Sequence, residues 1–145
     1  MRKFVVTAQN LGPKKTLYSI DIFADEAEKS EDITLITFIK EHRFEGKDKN
    51  YLKAFQILRD KALNCGFGIQ CCGSLINVMQ PEEFKGTDII YIIDADNPAD
   101  PGQAVSIFDH AIPPRYYLTY KQEQYLVQWN RALKKYNRKL KEEQE

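Results

Sequence analysis

Gly66-Phe67-Gly68-Ile69-Gln70-Cys71-Cys72-Gly73-Ser74-Leu75-Ile76-Asn77-Val78-Met79 is the stretch that decides how this chain is laid out. It holds three glycines within eight residues, two adjacent cysteines, a Gly-Ser break and an apolar Ile-Asn-Val step. Gly66 suits the left-handed position that closes a helix. Gly68 or Gly73 suits a bulge or a close backbone approach inside a strand. The stretch therefore predicts a helix stop, then a strand over 67–72 that kinks at Gly73-Ser74 and resumes over 75–79. It carries no visible catalytic device.

Immediately upstream the pattern is helical. From Lys49 to Asn64, the side chains Tyr51, Leu52, Phe55, Leu58, Ala62 and Leu63 fall on one face. Asp48 or Asn50 caps its start, and Asn64-Cys65-Gly66 its end. Before it, Ile33 to Phe44 reads as one strand, with Ile33, Leu35, Thr37 and Ile39 opposing Thr34, Ile36 and Phe38. Its apolar density predicts a central strand covered on both faces, ended by Glu45-Gly46-Lys47-Asp48. Residues 2–10 and 16–24 alternate as two further strands. The short turn Asn10-Leu11-Gly12-Pro13-Lys14 joins them into an antiparallel hairpin. Residues 25–32 set five acids against one lysine and read as a solvated loop.

Downstream, Pro81–Thr87 is a turn and Asp88–Ile93 is apolar enough to lie mid-sheet. Asp94–Gly102 is an acidic loop, Ala104–Asp109 a short edge strand, and Pro113-Pro114 a corner. The last element is a helix, opened by Thr119 and Gln122 at the spacing of a reciprocal capping box. Tyr125, Leu126, Trp129, Ala132, Leu133, Tyr136 and Leu140 then recur at three- and four-residue steps. Arg131, Lys134, Lys135, Arg138, Lys139 and Lys141 line its distal part, where cations complement the helix dipole. The expected fold is a single α+β domain over residues 1–145. It has a mainly antiparallel sheet of about six strands and two helices on one face. Residues 133–145 form a protruding basic helical tail.

Composition narrows the function classes. A chain of 145 residues supports one core without disulfides or metal. Lys+Arg and Asp+Glu both number 21, so no general attraction to nucleic acid or membrane is expected. No run approaches the roughly 20 apolar residues of a membrane span. The N-terminus enters a strand-like alternation directly, without a signal peptide's long apolar region. Three cysteines, two adjacent, make no disulfide framework and suit a reducing compartment, so a cytosolic location is expected.

Each constellation with chemical potential has a plainer reading beside it. Cys65, Cys71 and Cys72 lack C-x-x-C spacing, and neighbours on a strand point to opposite sides, so they read as small buried hydrophobes. A hydrolase pairing one cysteine with His42 or His110 is the sharper alternative. Asp94, Asp96, Asp100 and Asp109 lack the glycine and distal glutamate of a calcium loop and read as solvated. Acids at 25–32 and 94–100 also suit a negative patch facing a basic partner. The basic end of the last helix, interleaved with Glu142, Glu143 and Glu145, reads as a solvated face rather than an RNA-binding surface. No phosphate loop, dinucleotide fingerprint or nucleophile elbow occurs. Neither a cofactor nor a metal is called for.

The order of segments resembles a family of small bacterial immunity-type proteins encoded beside polymorphic or contact-dependent growth-inhibition toxins. A glycine-ended helix leads into Ile69-Gln70-Cys71-Cys72-Gly73-Ser74, with Asn77-Val78 beyond. Ile90-Tyr91-Ile92-Ile93, Val105-Ser106-Ile107-Phe108-Asp109 and Leu118-Thr119 … Gln122-Glu123-Gln124 … Trp129 complete the likeness. It spans residues 50–133. The chain departs from the family pattern at Met79-Gln80-Pro81-Glu82-Glu83, where the family has serine and methionine before a glycine-rich loop. The resemblance implies a non-enzymatic protein that neutralises a cognate toxin domain by direct binding. From composition and expected exposure, the contact residues are Asp94, Asp96 and Asp100, with Tyr116 and Tyr117 as aromatic anchors beside the Pro113-Pro114 corner. An interaction or housekeeping protein with another partner is the alternative.

Overall fold

Period-two alternation of apolar residues builds the first three strands, the fourth turns only Phe44 and Gly46 inward, and a 3.6-residue apolar stripe builds the helix laid across them. The computed structural model describes residues 1–26 and 32–144. Its strands are β1 (Arg2–Asn10), β2 (Leu17–Asp25), β3 (Ile33–Ile39), β4 (His42–Asp48), β5 (Phe67–Gln70), β6 (Val78–Met79), β7 (Ile89–Ile92) and β8 (Gln103–Ser106). Its helices are α1 (Tyr51–Asn64) and α2 (Thr119–Glu143). The result is an α+β fold. A five-stranded antiparallel sheet of order β4-β3-β2-β1-β5 is joined by a small sheet of order β6-β7-β8, with the helices packed against them.

The core lies between α1 and one face of the larger sheet. Val6, Ala8, Ile20, Ile22, Leu35, Ile39 and Phe44 point toward Leu52, Ala54, Phe55, Leu58 and Ala62. Each large side chain among them contributes about 1.5–3 kcal/mol by leaving water. The helix lies so close to β4 that a Cβ on Gly46 would collide with the carbonyl oxygen of Ala54 and sit 2.8 Å from the amide of Leu58. Glycine at 46 thus sets the helix-to-sheet distance. At the other end of α1, Gly66 takes a φ of 90° and its amide bonds Leu63, as the helix stop requires.

Five expectations change. The run 33–44 is not one strand but the first strand and part of the second in a hairpin, with Ile39 facing His42 across Lys40-Glu41. That turn lacks glycine and asparagine and instead drives Lys40 to a φ of 55°, so its residue types gave no sign of it. Nor is β3 covered on both faces: Ile33, Leu35, Thr37 and Ile39 are buried while Phe38 stands 53% exposed. The strand from Phe67 stops at Gln70. Cys71 makes an isolated bridge to His110, Cys72–Ser74 forms one tight 3-10 turn, and the next strand begins at Val78 in the other sheet. The described residues therefore hold eight strands in two sheets rather than about six in one. The capping box is absent too, because Leu118 is the cap residue and makes no side-chain bond.

The hairpin β1–β2 and the middle position of β7 match expectation, and α2 is exposed along its side chains from 134 to 144. Of the acidic 25–32 stretch, Asp25 ends β2, and Glu26 accepts from Arg2 and Tyr51. Residues 27–31 lie outside the described residues.

Candidate functional site

Arg59 sits four residues after Phe55 and three before Ala62, on the apolar stripe of α1, and the packing carries it inward. It is 1% exposed. Its Nε donates to Asp60 Oδ1 at 2.9 Å, and its Nη2 donates to Gln122 Oε1 at 2.8 Å and Thr119 Oγ1 at 3.1 Å. Nη1 donates to the Gly73 carbonyl at 3.4 Å. Gln122 completes the cluster by donating to the carbonyls of Gly73 and Leu75 at 2.8 and 2.7 Å and accepting from Gln56 at 3.0 Å. Asp60 also receives the backbone amide of Thr119. Burial lowers the guanidinium's pKa and the Asp60 carboxylate opposes it. Thr119 and Gln122 are thus consumed by a clamp joining α1, the Gly73 turn and α2, which is why they do not cap each other. Its polar atoms bond one another.

Two of the three thiols are equally withdrawn, and Cys65 is exposed. Cys71 is fully buried, and burial pushes its thiol up to about 12 against the pull of the Ser74 hydroxyl 3.9 Å away. Burial and the Asp109 carboxylate raise Cys72 as well. Cys71 meets His110 through a backbone bridge, not through its sulfur. His42 stacks on Phe44 with ring centres 5.9 Å apart. A thiolate nucleophile needs a lowered pKa, and Cys71 and Cys72 are shifted the opposite way. Among the described residues, no group of three or more His, Cys, Asp or Glu side chains is placed to hold a metal ion.

Asp94, Asp96 and Asp100 occupy the exposed loop between β7 and β8. Asp94 accepts from the Asp96 amide and Asp100 from the Gly102 amide, both at 2.9 Å, so two of the three carboxylates shape the loop's own turns. The Ala95 amide donates to the Tyr125 hydroxyl at 2.9 Å and holds the loop beside α2. Tyr116 is tied down: its hydroxyl donates to Gln9 at 2.7 Å and accepts from Gln70 at 3.0 Å. Its ring fills the space a side chain at position 68 would need. Tyr116 and Tyr117 both line an open cleft with Leu11, Leu63, Arg115, Tyr120 and Lys121.

The aspartates and the tyrosine cleft do not share a side of α2. Tyr125, which holds the acidic loop, is five residues from Tyr120, or about 140° around a helix of 3.6 residues per turn. On the Tyr120 side lies a second shallow groove, lined by Tyr120, Glu123, Gln124, Val127 and Arg131. Tyr120 and Val127 are 53% and 48% exposed. Reading the sequence for a core stripe passes over both. Their signal is that two large apolar residues seven apart fall on the side where polar residues belong. A scan against protein-family models gives no match for the chain, and a search of curated proteins gives none.

Proposed function

We propose that this protein is a binding protein of the immunity type, which neutralises a cognate toxin domain by covering it and performs no bond chemistry itself. One observation carries the reading: the outward side of α2 presents Tyr120 and Val127 to solvent in a groove rimmed by Glu123, Gln124 and Arg131. Apolar surface framed by charge is the mark of an interaction site. Tyr117 extends that surface toward the neighbouring cleft, and the exposed acids of the 94–100 loop offer a separate polar contact for a basic partner. The toxin class of partner rests on the sequence resemblance across residues 50–133. The cytosol is where such a partner would be met. No helix among the described residues is long and apolar enough to cross a membrane.

The experiment is recovery of the partner with the tagged chain from its own source, followed by co-expression of the two in a toxin-sensitive host. Growth is restored by the native chain and lost with Tyr120→Asp plus Val127→Asp, while the purified variant keeps its thermal midpoint. A partner whose expression leaves growth unchanged would instead mark an interaction module of another system. Turnover of a small molecule by the purified chain would overturn the reading.

A further inference from the structure

The turn after β1, the end of α1 and the start of α2 converge on a cleft of about 550 Å³. Leu11, Leu63, Leu118, Tyr117 and Tyr120 give it an apolar floor, and Arg115 and Lys121 stand on its rim. Neither Asp nor Glu is among its lining residues. Arg115 has no hydrogen-bond or ion-pair partner among the described residues, and the Lys121 ammonium lies 5.5 Å over the Tyr120 ring. Asp60, the carboxylate that reaches the start of α2, is held by Arg59 and the Thr119 amide. Lys14 and Lys15 follow Leu11 in the same exposed turn. The first turn of α2 contributes the positive end of its dipole. The opposing dipole at the end of α1 is blunted because the Cys65 and Gly66 amides cap the Ala62 and Leu63 carbonyls.

We propose that this cleft receives an acidic segment of a partner protein, seating a leucine or aromatic side chain on the tyrosine floor and carboxylates on Arg115 and Lys121. In a chain of zero net charge, a cationic rim without its own counter-ions is complementary to an acidic ligand. A free guanidinium is well matched to a carboxylate through two parallel hydrogen bonds. The leucine-rich floor selects a peptide side chain over a sugar-phosphate backbone. The inference rests on the binding reading above and gives the partner's chemistry at this face.

The test titrates three probes into the full chain: a blocked hexapeptide of alternating glutamate and leucine, its lysine-leucine counterpart, and oligothymidine. Amide NMR shifts report the site. The acidic peptide is expected to move residues 63–64 and 115–121 and to bind at least tenfold tighter than the basic one. That advantage shrinks with added salt, and Arg115→Glu plus Lys121→Glu reverses it without disturbing amides elsewhere. Equal binding of the two peptides, shifts away from the cleft, or tighter binding of oligothymidine would overturn it. The titration involves no toxin. A failed titration beside intact growth rescue removes the cleft assignment alone, and failed rescue beside a positive titration removes the toxin reading alone.

Discussion

Arg59 and Gln122 hold each other out of solvent: the guanidinium donates to the amide oxygen at 2.8 Å, and the two residues are only 1% and 2% exposed. Gln122 supplies both of its amide protons to carbonyls of the Gly73 turn, so removing it strands acceptors as well as a cation. Gln122→Ala is expected to cost about 3 kcal/mol, since each buried polar group left unpaired costs about 1–3 kcal/mol. Gln56→Ala, which removes one bond at the margin of the same cluster, should cost under about 1 kcal/mol. Urea midpoints with unchanged slopes measure both.

Tyr116 joins residues far apart in the chain, bonding Gln9 of β1 and Gln70 of β5 through one hydroxyl. Tyr116→Phe keeps the ring over Gly68 and is expected to lose about 1–2 kcal/mol through the two orphaned amides. Gly68→Val displaces the ring itself and should cost more than the hydroxyl alone. Thermal midpoints of the two variants, compared directly, check the order.

Thiol accessibility separates the three cysteines. Cys65 is exposed while Cys71 and Cys72 are buried, so an aromatic disulfide reagent at neutral pH should titrate one thiol quickly and the other two only on unfolding. The alkaline limb of stability follows from Cys71, whose folded value near 12 lies above an ordinary 9.0. Between those values the folded state holds a proton that the unfolded state releases. Its contribution is therefore complete below about pH 9 and declines as pH rises toward 12, at about 1.4 kcal/mol per pH unit. Tyr51, raised by burial and by the Glu26 carboxylate, acts in the same direction. Cys71→Ala should flatten this limb of a pH–stability profile, with any loss at pH 7 reporting lost packing and the lost contact with the Ser74 hydroxyl.

Lys40 takes a positive φ of 55° in the two-residue turn between β3 and β4. A left-handed conformation costs an L-residue about 1–2 kcal/mol. Lys40→Gly removes that cost, offset by glycine's freedom in the unfolded chain and by loss of the cation over the Tyr18 ring. A net gain of about 0.5 kcal/mol is expected, read as a raised urea midpoint.

Much of the architecture was legible because periodicity reports burial. The β1–β2 hairpin, α1 with its Gly66 stop, and the apolar β7 all follow from spacing and turn chemistry. The β3–β4 turn was hidden because Lys40-Glu41 carries none of the residues that normally announce one. Arg59 was hidden for a different reason: polarity suggests the surface, although it stands on the same stripe as Phe55 and Ala62, and Gln122 reads as a capping residue although it lies four residues before Leu126. Position on the stripe, weighed above residue type, would have found both. Of the residues chosen for partner contact, Tyr116 and Tyr117 line one cleft, Tyr116 also tying β1 to β5 through its hydroxyl, and the aspartates stand apart beside Tyr125. Three-dimensional adjacency of that kind is carried by long-range packing, which local patterns do not encode.

The larger sheet has unequal margins, with consequences for colloidal behaviour. Beyond β5 the chain is stitched onward, Cys71 bridging His110 and Cys72 donating to Asp109. At the opposite margin, β4 carries His42, Arg43, Glu45 and Lys47, and Lys61 already donates to the Glu45 carbonyl at 2.8 Å. Charged side chains on an outermost strand deter it from templating a foreign strand into cross-β stacks. Replacing Arg43, Glu45 and Lys47 together by threonine would strip that guard from a natively folded molecule, and seeded fibril growth, not unfolding, is the failure to expect.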